Sequence, residues 1–124
     1  MGDSLKWTLE ISVGDGAIDQ EHAEEFELFN RARNAVEAGR PIDLIKADLF
    51  RHITIHFRNE EALMDELNLD ESAKELHKAQ HREFFLRSTE MSSRSDAEFV
   101  EFLRQWLIDH IVNGPDRNLA RSSS

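Results

Sequence analysis

The stretch IDLIKADLFRHITIHFRNEEALMDE (residues 42–66) decides the fold. Its apolar residues Ile42, Ile45, Leu49, Ile53, Phe57 and Met64 recur at helical spacing, so they line one face of a long helix. Asn68-Leu69-Asp70 breaks that pattern. Upstream, Ile18, Phe26, Phe29, Ala32 and Val36 mark a first helix, which Gly39 and Pro41 stop. Asp19, Glu21 and Glu24 stand near its amino end, where the helix dipole favours negative charge. Downstream, a third helix is expected from about Glu71 to Met91, followed by a loop at Ser92–Asp96. Phe99, Phe102, Leu103, Trp106, Leu107 and Ile111 then mark a fourth helix ending near Gly114-Pro115. Helices joined by such short connections pack as antiparallel neighbours, so the pattern predicts an all-α, up-down-up-down four-helix bundle over residues 18–116. Residues 1–17 mix Trp7, Leu9, Ile11 and Val13 with Gly14, Asp15 and Gly16, and read as an extended arm packing on the bundle. Residues 117–124 read as a frayed tail.

Composition narrows the function classes. The 124 residues suit one domain, and 25 acidic against 15 basic side chains leave a net charge of −10. No Lys/Arg cluster is present to attract nucleic acid or anionic lipid. The absence of cysteine excludes disulfides, thiolate metal sites and thiol catalysis, so any metal must use nitrogen and oxygen ligands. No apolar run approaches the ~18 residues of a membrane span, and nothing resembles a signal peptide, so the expected location is cytoplasmic.

All six histidines fall on expected helices. His77 and His81 are four apart, one turn from each other on one face of the third helix, and His56 and Glu60 repeat that spacing on the second. His22 lies near the start of the first helix and His110 near the end of the fourth, so an antiparallel bundle brings all four helices' histidines to a similar height. A single histidine on a helix is ordinarily a hydrogen-bonded or surface residue. Five at one level are costly to bury unless they are paired or bind metal. Imidazoles with carboxylates and no sulfur suit iron, zinc, copper or manganese. Five histidines with two carboxylates are enough for two ions sharing bridges, a set that two irons fit best.

Ser12-Val13-Gly14, Ile18-Asp19-Gln20-Glu21-His22, His56-Phe57-Arg58-Asn59-Glu60-Glu61, His77-Lys78-Ala79-Gln80-His81 and Trp106-Leu107-Ile108-Asp109-His110-Ile111 together resemble the hemerythrins, and within them the bacterial hemerythrin-like domains. The resemblance runs from Trp7 through Asp116. It implies a non-haem di-iron centre with an oxo or hydroxo bridge: His77, His81 and His110 on one iron, His22 and His56 on the other, and Glu60 and Asp116 bridging them. One iron keeps an open position where dioxygen binds, and Phe57, Phe84, Trp106, Leu107 and Ile111 fall near the apolar pocket positions that keep water out.

Three features depart from the family pattern. Pro115 stands where the last carboxylate is expected, five residues after His110, so a looser turn at Asn113-Gly114-Pro115 is needed to return Asp116 to reach. Glu25 occupies a position that is usually an apolar pocket residue, and His52 lies four residues before His56. Glu25 and His52 are either outward-leaning polar side chains or a pair facing each other across the first two helices beside the irons. There they would compensate mutual burial, relay protons, or offer Glu25 as an extra ligand, and so shift the site toward redox chemistry.

The resemblance thus implies a protein that senses, stores or carries dioxygen. A di-iron oxidase, peroxidase or nitric oxide reductase on the same scaffold is the alternative that Glu25 and His52 favour, and no tyrosine is present to hold a radical. An iron-handling protein is a third reading. The tail is also compatible with a sensory domain belonging to a larger signalling protein.

Overall fold

The computed structural model describes Leu5 and residues 16–112. Four helices form the expected bundle: α1 (Gly16–Glu37), α2 (Asp43–Glu66), α3 (Glu71–Met91) and α4 (Asp96–Leu107), the last continued by a π-helical turn at Ile108–Val112. Helix α1 lies against α2 and α4, and α3 lies against the same two, so each helix meets its neighbours around the ring. The first helix starts at Gly16, slightly before the expected Ile18. Most of the expected arm lies outside the described residues. Leu5 packs on the core and both donates to and accepts from the Asn30 side chain, at 2.8 and 2.7 Å.

The helix ends follow from local chemistry. After α1, Gly39 takes φ +72°, and the Arg40 and Gly39 N–H groups bond to the carbonyls of Ala35 and Val36 at 2.8 and 3.0 Å. This paired closure leaves few helical carbonyls unsatisfied and favours a residue without a Cβ. Asn68 repeats it after α2 with φ 54°, as Leu69 N–H reaches Met64 and Asn68 N–H reaches Asp65. Asparagine tolerates that left-handed backbone better than most side-chain-bearing residues. At the start of α4, the Ser95 hydroxyl accepts from the Glu98 N–H at 3.2 Å, a side-chain cap.

The fourth helix departs from expectation. Instead of continuing as α-helix toward Gly114-Pro115, it widens into the π-helical turn that carries His110. A proline at 115 has no N–H to offer the Ile111 carbonyl in an α-helical register, which weakens regular continuation there. Residues 113–124 lie outside the described residues.

Two apolar clusters flank a polar layer. The larger includes Phe26, Phe29, Leu49, Ile53, Phe84, Phe99 and Leu103. The smaller is built on Ile18 and Met64 with Leu63, Leu67 and Leu69 around it. Along α1 the order is Ile18, His22, Phe26; along α2 it is Ile53, His56, Glu60, Met64. The ionisable residues are therefore sealed between apolar floors. Among the described residues no helix is long and apolar enough to cross a membrane.

Phe29 is fully buried in the larger cluster. Phe29→Ala is expected to lower unfolding free energy by about 3–5 kcal/mol through lost burial and a residual cavity. Urea denaturation checks this; a loss well under 1 kcal/mol would mean that the core collapses around the site.

Candidate metal centre

Seven ionisable side chains meet inside the bundle: His22 and Glu25 from α1, His56 and Glu60 from α2, His77 and His81 from α3, and His110 from the π-helical turn. All are buried, the most exposed being His110 at 4%. The helical spacings read from the sequence explain this convergence, because residues three or four apart share a face. The donor atoms form two groups, Glu60/His77/His81/His110 and His22/Glu25/His56, each with its atoms within 4.8 Å of one another. Glu60 joins them. Its Oε1 lies 3.2 Å from His81 Nε2, 3.9 Å from His77 Nε2 and 3.2 Å from His56 Nε2, while Oε2 lies 3.5 Å from His22 Nε2.

Two further carboxylates set the imidazole orientations. Glu21 Oε1 is 2.8 Å from His56 Nδ1, and its other oxygen accepts from the Asn59 amide at 2.5 Å. Glu61 Oε2 is 3.1 Å from His81 Nδ1. When Nδ1–H donates to a carboxylate, Nε2 presents a lone pair inward, an arrangement that raises ligand basicity and fixes the ring. The sequence marks Glu21 only by its place near the helix dipole and Glu61 only as part of the His56–Glu61 stretch. Their adjacency to His22 and Glu60 was the available signal, because an acid beside a ligand can reach the ring on the next helix.

The expected pairing of Glu25 with His52 is not formed. His52 is only half-buried at the seam between α1 and α2, with Nδ1 3.4 Å from Glu24 Oε2 and Nε2 3.2 Å from the Glu21 carbonyl. A four-residue step rotates a side chain by about 40° around the helix, enough to move His52 from the interior to the seam. Glu25 is fully buried and its Oε2 approaches His56 Nε2 at 3.4 Å. Burial pushes the Glu25 carboxyl above its ordinary 4.5, an effect that His56 and His22 partly offset. Burial alone would lower the His56 imidazole, but Glu25, Glu60 and Glu21 outweigh it and hold it well above 6.5.

The donor set fits metal ions. Neither oxygen of Glu25 has a hydrogen bond, nor does Nε2 of His56 or His81. Groups of this kind are costly to bury without a compensating partner, and a metal ion supplies one. The expected apolar shell also gathers here. Phe57 stacks on His81 at 3.8 Å between ring centroids, and Trp106 stacks on His110 at 4.4 Å. Phe84 meets both aromatic rings, while Leu107 and Ile111 are buried in the same cluster. A groove of about 200 Å³ lined by Gln80, Glu83, Arg87, Trp106, Asp109 and His110 reaches the outer side of this wall. Asp116 lies outside the described residues.

The profile of the family described as "Hemerythrin HHE cation binding domain" matches residues 13–113. The chain belongs to the hemerythrin family. It is 30% identical over 107 residues to a hemerythrin-like protein of Naegleria gruberi, covering 86% of this chain and 84% of the relative. It is 30% identical over 106 residues to myohemerythrin-1 of Phascolopsis gouldii, covering 85% and 83% respectively. To a bacteriohemerythrin of Stenotrophomonas maltophilia it is 29% identical over 125 aligned residues, covering 94% of this chain and 79% of that protein. No solved structure gives a significant match. The hemerythrin bundle and its two His/Glu groups thus agree at the level of fold and of metal-binding chemistry.

Removing the carboxylate behind His56 tests the orienting role. Glu21→Ala is expected to weaken metal binding about 10- to 100-fold, with helical content unchanged, when calorimetric titration is compared with circular dichroism. Equal affinity in both proteins would leave Glu21 as a surface charge.

A pH series tests the buried pair in metal-free protein. Both groups bind protons more tightly folded than unfolded, so the folded chain carries more protons and stability falls as pH rises. The Glu25 contribution is complete below 4.5 and the His56 contribution below 6.5, and each is lost as pH climbs through the raised folded value. Urea midpoints should therefore decline across and above that interval. A rise there would contradict the assignment of these two groups.

Proposed function

We propose that this hemerythrin-family chain is a non-haem di-iron protein that binds dioxygen for sensing, storage or transport. The observation that carries the reading is the pair of buried His/Glu groups joined by Glu60, with Glu60 oxygens facing histidines of both. In it, His77, His81 and His110 hold one iron, His22 and His56 hold the other, and Glu60 and Asp116 bridge them. The similarity to a myohemerythrin and a bacteriohemerythrin supports a hemerythrin-type reading. When bound, iron would supply reversible electron transfer to dioxygen.

This chain's own residues account for the remaining requirements. Glu21 and Glu61 keep His56 and His81 in the metal-binding tautomer. The rings of Phe57 and Trp106 cover His81 and His110 and limit water at the site. The π-helical turn supports the place given to Asp116. A π turn accommodates one more residue than the α-helical turn it replaces. One extra residue is also what separates Asp116 from the family's five-residue spacing after His110. The buried Glu25 favours a second reading on the same scaffold, a di-iron redox enzyme, because a protonatable group at the site assists release of reduced oxygen.

Anaerobic titration with ferrous ion, followed by air and then by deoxygenation, tests the proposal. The expected result is two irons per chain and a visible charge-transfer band that appears with dioxygen and disappears on its removal. Two irons with rapid, irreversible conversion to a ferric form would favour the redox enzyme. Failure to take up two irons would overturn the di-iron reading.

A further inference from the structure

We infer that Glu25 is itself a metal ligand, giving the His22/His56 position a carboxylate of its own beside the shared Glu60. The inference rests on the two-metal reading above and goes beyond it in committing Glu25 to one of the two metal positions. Three observations carry it. Glu25 is 0% exposed and no hydrogen bond reaches either of its oxygens. Among the described residues its ion-pair contact is a histidine of the same group, not a lysine or arginine. The spacing is that of donors around one ion. Metal–nitrogen and metal–oxygen bonds of about 2.0–2.2 Å put neighbouring donors roughly 2.8 to 3.6 Å apart. Glu25 Oε2 lies 3.4 Å from His56 Nε2, and Glu60 oxygens lie 3.2 and 3.5 Å from His56 and His22.

A plain charge-partner role explains less. His56 already has Glu21 at 2.8 Å on Nδ1 and Glu60 at 3.2 Å on Nε2, so neutralising its imidazolium does not require a third carboxylate. What Glu25 adds is a donor on the Nε2 side, inside the layer and one turn from His22 on the same helix face. The two metal positions are then chemically distinct. One has three imidazoles and the shared Glu60; the other has two imidazoles, Glu25 and the shared Glu60. The second is the harder site and suits an oxygen-preferring first-row ion such as iron or manganese.

Anaerobic cobalt(II) titration of the full chain, read by calorimetry and by the visible ligand-field spectrum, tests the assignment without reference to oxygen chemistry. The wild-type chain should bind two ions. In Glu25→Gln, one of the two steps should weaken by at least about tenfold, the lower end of what even residues behind a ligand cost. The other step should persist and show that the variant folds. Glu25→His should restore the weakened step, because imidazole donates without charge. Equal binding by wild type and Glu25→Gln would overturn the inference. So would a Glu25→His variant as weak as Glu25→Gln, since that outcome assigns Glu25 an electrostatic role. A wild-type chain taking only one ion would overturn the two-metal reading, and this inference with it.

Discussion

The burial of seven ionisable side chains in one layer of the bundle is the constraint on which the rest of the structure depends. Each imidazole or carboxylate removed from water loses solvation that a neighbour must replace, and the neighbours here are mostly one another. Glu60 serves four histidines at 3.2 to 3.9 Å, a separation better suited to donors around ions than to a closed hydrogen-bonded network. A bound ion would supply the partner these groups lack, which couples metal affinity to bundle stability.

The apolar floors on either side make the layer specific. Ile18 and Met64 close one end, while Phe26, Ile53 and Phe84 lie in or against the main core at the other. Side chains set in close-packed surroundings cannot drift far from their rotamers, so the imidazoles keep their places through packing as much as through hydrogen bonds. Phe57 illustrates both effects. It lies flat on His81, 4° from parallel, and simultaneously meets Phe84, Phe85 and Trp106.

The helices were legible because their periodicity extends over several turns. Ile42 to Met64 on α2 allow one phase, and Gly39 marks the α1 end in the sequence as it does in the backbone. The i, i+4 pairs His56/Glu60 and His77/His81 likewise announced a shared face, and the structure brings them together with His22 and His110. Features confined to a single turn were not legible. A π-helical turn of five residues has too little periodicity to separate from α-helix, and Pro115 alone suggested only an ending. Glu21 and Glu61 were not legible as ring-orienting groups because each is itself only partly buried, as helix-surface acids commonly are. His52 misled for a geometric reason: it shares a helix face with His56 but stands at the seam, where α1 offers Glu24 in place of Glu25.

Glu25 also bears on how dioxygen could bind here. Under the proposed assignment, the metal held by His22 and His56 has fewer histidines than its neighbour and would be the one left with an open position. If Glu25 occupies that position, both metals have the same number of protein donors, and a small molecule gains entry only where a ligand yields. Among the seven buried residues, Glu25 is well suited to yield. His56 and His81 are pinned through Nδ1 by Glu21 and Glu61, and Glu60 stands between both groups. Glu25 has no hydrogen bond to hold it. On the proposed reading, Glu25 is therefore the donor whose ligation would weigh carriage against redox chemistry.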